Sequence, residues 1–212
     1  MRFKVIDSNV DTTELDNLIV GEDFTIKPAS WFKQFTDDQI KLFMLKQAIY
    51  VLPTEELLDY LDEEIGDNFT IEIGSGRGFI GRELDIICTD NYCQQLPEVK
   101  AYYNLLGQAV INYPKHVMRM DANTAVNKLH PHTVIGCFVT HKWRHDTQDG
   151  NDYGIQFDKL LRKVKKLILV GNKEIHKNNP IMRWPHEELY FDWLITRAVN
   201  PELNRIFVWK EK

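Results

Sequence analysis

The sequence predicts an α/β protein: a mostly parallel sheet with helices on both faces, an antiparallel strand at its C-terminal end, and a helical cap segment ahead of it. Three observations carry this. From residue 68 onward, short apolar runs alternate with stretches of helical period. Several of those runs stop at Gly or Asp, as strands entering loops do. A glycine-rich loop, Gly74-Ser75-Gly76-Arg77-Gly78, stands directly between the first run and the first helical stretch. Strands and helices alternating at these lengths make βαβ units, hence a parallel sheet covered on both sides.

The elements follow in order. Residues 1–27 alternate weakly, through Phe3, Val5, Phe24 and Ile26, and read as short strands or an extended lead-in. Thr36-Asp37-Asp38-Gln39 offers a cap and an acidic first turn, with Ile40, Phe43 and Met44 following at helical spacing. Pro53-Thr54-Glu55-Glu56 opens a second helix, whose Leu57, Leu58 and Leu61 share one side and which Gly66 closes. Residues 1–67 are therefore expected to form an N-terminal extension and helical cap, and residues 68–212 the ligand-binding domain.

Beyond that boundary the apolar runs predict strands at 69–73, 86–89, 116–120, 133–139, 167–170 and 205–210. The helical stretches between them lie at 77–84, 97–106, 123–130 and 157–165. Sheets of this type bind ligands beyond the carboxyl ends of their strands.

Composition bounds the function. The chain has 212 residues, 43% of them hydrophobic and 27% charged, enough to bury a full core. No run approaches the ~18–20 apolar residues of a membrane span. The opening Met1-Arg2-Phe3-Lys4-Val5-Ile6-Asp7 lacks the apolar core of a secretory signal. Cys88, Cys93 and Cys137 form no CxxC pair, so neither a disulfide framework nor a structural zinc site is expected, and a cytoplasmic location fits.

The net charge of −5 argues against whole-molecule electrostatic binding to DNA. The charge is uneven: residues 1–67 hold 15 acids and 6 bases, whereas 159–183 holds eight bases and the single acid Glu174. That basic stretch reads as a solvated helix face with its loops, or as a local attractor for an acidic substrate.

The glycine loop carries the chemistry. Preceded by Glu72-Ile73, it gives the pattern E-x-G-x-G-x-G between a strand and a helix. Glycines there permit a tight turn and a close backbone approach, and the free N–H groups of the following helix can face a polar ligand. This form resembles the first motif of class I S-adenosylmethionine-dependent methyltransferases of the Rossmann-like superfamily. The resemblance covers roughly 68–172 and extends to later strands. It implies that Asp90, ending the second strand beside Asn91, grips the ribose hydroxyls, as a carboxylate accepting two hydrogen bonds can. It implies that Asp121-Ala122, after the third strand, lies beside the adenine. S-adenosylmethionine is thus the expected cofactor, held by Glu72, Gly74, Ser75, Gly76, Gly78, Asp90, Asn91, Asp121, Ala122 and Thr140. The G-x-G-x-G spacing speaks against NAD.

In the resemblance the loop after the fourth strand is catalytic; here it reads Thr140-His141-Lys142-Trp143. The Asp/Asn-Pro-Pro-aromatic motif of amino-methyltransferases is missing, which counts against adenine-N6 or glutamine methylation. His141 is the base candidate, since its pKa lies near neutrality. Trp143 could stack on a planar substrate. Tyr50, in Tyr50-Val51-Leu52-Pro53-Thr54, stands in a segment loosely similar to the Thr-Pro element of amino-methyltransferases, and a plain helix start explains it equally well. Asn172 and His176, after the fifth strand, are further substrate candidates, or polar loop residues. His141 and His145, with Asp146 and Asp149, have a spacing that could ligate a metal on a helix, but the segment reads as loop and no metal is expected. A small-molecule acceptor is favoured over a nucleic acid. The alternative is a non-catalytic cofactor-binding protein that keeps the fold.

Overall fold

The computed structural model describes residues 6–142 and 152–211. A seven-stranded sheet organises them: β3 (Thr70–Ile73), β4 (Ile87–Asp90), β5 (Val117–Arg119), β6 (Thr133–Cys137), β7 (Lys166–Asn172), β8 (Glu187–Leu189) and β9 (Asn204–Lys210). Across the sheet the order is β5-β4-β3-β6-β7-β9-β8. The first five of these strands are mutually parallel, and β9 runs antiparallel to both of its neighbours. This mostly parallel, helix-covered sheet with its antiparallel C-terminal strand is the α/β arrangement that the strand pattern predicts. A separate two-stranded ribbon, β1 (Ile19–Val20) and β2 (Asp23–Phe24), turns at Gly21 in the N-terminal segment.

Alternation along the central strands assigns the two faces. On β7, Leu167 and Leu169 face one way and Ile168 and Val170 the other. The first face packs with Phe207 and Trp209 of β9 against α6 (Ala122–Leu129) and α7 (Phe157–Leu161). The opposite face packs against α3 (Glu55–Ile65) and Ile80 of α4 (Phe79–Glu83). Each fully buried leucine of α3, Leu57 and Leu61, contributes about 1.5–3 kcal/mol. The Thr54 side chain caps α3, and Lys166 of β7 pairs with Glu64 near its far end at 2.9 Å.

The N-terminal segment has its own cluster. Leu15 and Leu18, at and just after α1 (Thr13–Asp16), pack with Phe32, Phe43, Met44 and Leu52. Phe79 joins this cluster to the helix that follows the glycine loop. At the start of α2 (Asp37–Lys46), Thr36 and Gln39 form a reciprocal capping box. Residues 50–52 run beside 195–197, with hydrogen bonds from Leu52 N to Ile195 O (3.0 Å) and Arg197 N to Tyr50 O (2.9 Å). The buried ammonium of Lys41 donates to Thr196 O and Ala198 O, both at 2.7 Å.

Three elements differ from the sequence expectation. Thr13–Asp16, within the lead-in that reads as short strands or extended chain, is the one-turn helix α1. Arg183 to Glu188 reads as loop, yet Glu187–Leu189 forms the edge strand β8. Its Glu-Glu-Leu sequence lacks an alternating apolar face, and pairing with β9 supplies the order instead. Lys173 to His176 also reads as loop and is a one-turn helix, α8, capped by Asn172.

Candidate functional site

The carboxyl ends of β3, β4, β5 and β6 surround a cavity of about 250 Å³. That is close to the lower end of the ~300–1,000 Å³ common for ligand sites. The structure brings Glu72, Gly74, Ser75, Gly76, Gly78, Asp90, Asn91, Asp121, Ala122, Thr140 and Tyr50 together on its wall. The glycine loop turns there with positive φ at Gly74, Gly76 and Gly78 (57°, 58° and 67°). A Cβ at Gly78 would lie 2.6 Å from His116 Nε2 and 2.8 Å from Val117, so this glycine permits the close approach to β5 as well as the turn. Ser75 Oγ is buried and has no hydrogen-bond partner among the described residues.

Two carboxylates give the site its electrostatics. Glu72 is buried on β3, where its Oε2 accepts from Gly81 N at 3.0 Å and lies 3.8 Å from the Cys88 thiol. Burial pushes its carboxyl up to about 8, against the lowering effect of those two donors. Asp90 accepts from Gly76 N at 3.0 Å on Oδ2 and from Tyr92 N at 2.9 Å on Oδ1. The Tyr113 hydroxyl stands close enough to stabilise the same carboxylate. Burial raises its pKa, and these donors counter the rise. Burial also raises the thiols of Cys88, Cys93 and Cys137, leaving them poor nucleophiles near neutral pH.

Asn91 uses its side chain within the protein, donating to Tyr153 O at 3.0 Å and accepting from Cys93 N at 2.9 Å. Asp121 caps α6, accepting from Thr124 N at 3.1 Å. The Tyr50 and Tyr103 hydroxyls lie 2.9 Å apart, and the Gln94 amide reaches both at 3.4 Å. Gln94 also accepts from Ile111 N at 2.9 Å, which fixes the loop carrying Ile111 against the cavity. Gln94, Tyr103, Ile111, Tyr113 and Tyr153 line the cavity and were not among the expected site residues. Four tyrosines between 92 and 113 were the available signal.

Three expected site residues lie elsewhere. His141 is buried on the wall of a second cavity of about 130 Å³. His141 meets Ile155 in a single parallel β-bridge, held by Ile155 N to Thr140 O (3.0 Å) and Lys142 N to Ile155 O (2.9 Å). Thr140 lines the larger cavity and His141 the smaller.

Asn172 is a core residue. Its Nδ2 donates to Asn200 O at 2.8 Å and Asn204 Oδ1 at 3.0 Å, and its Oδ1 accepts from Glu174 N at 3.0 Å. His176 is buried against Phe138, with Nδ1 3.0 Å from Asn172 O, and burial lowers its pKa. Neither lines the larger cavity. Trp143, His145, Asp146 and Asp149 lie outside the described residues. Among the described residues no cluster of three or more His, Cys, Asp or Glu side chains is placed to hold a metal, and no helix is long and apolar enough to cross a membrane.

No protein-family model matches the sequence, and no curated protein matches it. Solved structures do. The chain is similar to the crystal structure of WbdD, at 14% identity and TM-score 0.42 over 73% of this chain and 39% of that one. It is similar to an S-adenosylmethionine-dependent methyltransferase from Clostridium acetobutylicum, at 15% identity and TM-score 0.33 over 64% and 56%. A Thermoplasma acidophilum protein matches at 13% identity and TM-score 0.36 over 85% and 92%. The match therefore takes in about two fifths of the first structure and just over half of the second. The fold class rests on the sheet of this chain: seven strands, mostly parallel, helices on both faces, the last strand antiparallel.

Proposed function

We propose that the chain binds S-adenosylmethionine in the larger cavity and is a methyltransferase acting on a small-molecule acceptor. The observation that carries this reading is one convergence. Glu72, the glycine loop, Asp90 and Asp121-Ala122 come from three successive parallel strands and meet on a single cavity. The residues suit the cofactor. The orphaned Ser75 Oγ offers a polar ligand atom a partner, and such an atom is costly to leave unmade. Asp90 would hold the ribose hydroxyls, and Asp121-Ala122 would lie beside the adenine. Once bound, S-adenosylmethionine supplies an electrophilic methyl group on a sulfonium.

The chain's own part is positioning. Lining side chains hold an acceptor near the cofactor and exclude water, which makes the encounter effectively unimolecular. His141 faces the smaller cavity, so the reading assigns it no proton transfer in the larger one. A small acceptor is favoured because the basic stretch is partly neutralised. Half of its eight bases, Lys165, Lys166, Lys173 and Lys177, pair with Glu211, Glu64, Glu188 and Glu174, which reduces the positive charge open to a phosphate backbone.

The test is calorimetric titration with S-adenosylmethionine, S-adenosylhomocysteine and NAD, repeated on Asp90→Ala. Saturable binding of the first two, weakened at least ~tenfold in the variant, is expected. Preference for NAD, or no binding of any of the three, would sink the reading. The position of His141 favours one second reading, binding without methyl transfer. It predicts cofactor affinity with no S-adenosylhomocysteine formed across an acceptor panel.

A further inference from the structure

The smaller cavity lies beyond the carboxyl ends of β6 and β7, where open α/β sheets bind ligands. Its volume, about 130 Å³, is some ten times the ~10–15 Å³ that one water needs, so it admits a small organic molecule. Asn179 is on its wall and only 2% exposed. The Oδ1 of Asn179 accepts from Ile181 N at 3.2 Å, but its Nδ2 is buried with no acceptor among the described residues. A buried donor left unpaired costs about 1–3 kcal/mol, and a ligand oxygen would remove that cost.

Two charges share the wall. Lys142 and Asp158 both line the cavity, yet they form no ion pair with each other or with another described residue. The rest of the lining includes the apolar Phe157 and Ile181.

From this juxtaposition we propose that the smaller cavity binds a small zwitterion of the free α-amino acid class. The ligand carboxylate takes the Asn179 amide and the Lys142 ammonium, its ammonium takes Asp158, and its aliphatic part lies on the apolar wall. A simple anion would leave Asp158 opposed by like charge, and a simple cation would do the same at Lys142. The inference stands apart from the cofactor reading, because none of the residues expected to hold the cofactor lines this cavity, and Ile155 alone lines both.

The test is titration of the full chain with each common L-amino acid in turn, with propionate and ethylamine as single-charge controls. At least one amino acid should saturate one-to-one, and both controls should bind at least ~tenfold more weakly. Asp158→Asn and Asn179→Ser should each weaken that amino acid at least ~tenfold. Asp158 is partly exposed, so its variant should keep the wild-type melting temperature and remain informative if Asn179→Ser misfolds. Asp90→Ala, in the other cavity, should leave amino acid binding unchanged and separate this result from the cofactor test. The proposal is overturned if no amino acid saturates, if the controls bind equally well, or if Asp158→Asn binds like the wild type.

Discussion

Gly76 N donates to Asp90 Oδ2 at 3.0 Å, tying the glycine loop to the end of the neighbouring strand. With Tyr92 N on the other oxygen and the Tyr113 hydroxyl near the same carboxylate, Asp90 is already well supplied with donors. A ribose hydroxyl arriving at Asp90 has to compete with the nearby Tyr113 hydroxyl, a side-chain group and not part of the fixed backbone.

Tyr113→Phe should therefore bind S-adenosylmethionine more tightly, by about 3–10-fold, or ~0.7–1.4 kcal/mol. Its stacking on Tyr92, with centroids 3.9 Å apart and planes 7° off parallel, needs only the ring and should survive. Calorimetry on wild type and variant decides it, and weaker binding by the variant would mean that Tyr113 assists the cofactor.

Glu72 should impose a pH dependence on stability. Its folded carboxyl is raised to about 8 from the ordinary 4.5, so the native state holds the proton more tightly than the unfolded chain. Stability should fall as pH rises from about 4.5 to about 8 and then level off, with a total change of at most roughly 5 kcal/mol. Glu72→Gln should flatten this part of the curve. Urea midpoints between pH 5 and pH 9, at roughly one-unit steps, check the sign, and identical slopes for both proteins would refute the assignment.

Lys41→Met should destabilise the fold by about 3 kcal/mol, because two carbonyls lose a charged donor in the interior. For a chain of this size that lowers Tm by roughly 6–12 °C. The same change releases residues 196–198, so the Arg197 guanidinium, 3.8 Å from the Tyr50 ring centroid, should lose its fixed seat. Tyrosine fluorescence alongside the melting curve reads both effects.

Gly81→Ala should cost about 1–3 kcal/mol although it raises helix propensity. The added methyl would lie 2.5 Å from Cys88 Sγ and 2.8 Å from Glu72 Oε2, in a gap walled by two strands. Thermal denaturation is sufficient, and a stabilised variant would show that the helix shifts to make room.

Much of the fold was legible in the sequence because its signals are local. The apolar runs of β3, β6 and β7 are buried on both faces, and Thr36 and Thr54 announce their helices by capping chemistry. β8 was not legible, since three residues at a sheet edge owe their order to a partner 17 or more positions away. The glycine loop and the acidic strand ends were readable as a group, since each sits at a fixed place relative to its own strand. Tyr103, Tyr113 and Gln94 were not, because they reach the cavity from a helix and loops whose path no periodicity encodes. His141 shows the complementary limit: the sequence places it correctly after β6, but its seat depends on the bridge to Ile155, which no local signal announces.

That bridge is also a partition. Ile155 lines both chambers, so the two volumes share one residue as a wall. A ligand that displaces it from one side would be felt on the other, and any coupling of affinities that results must be reciprocal.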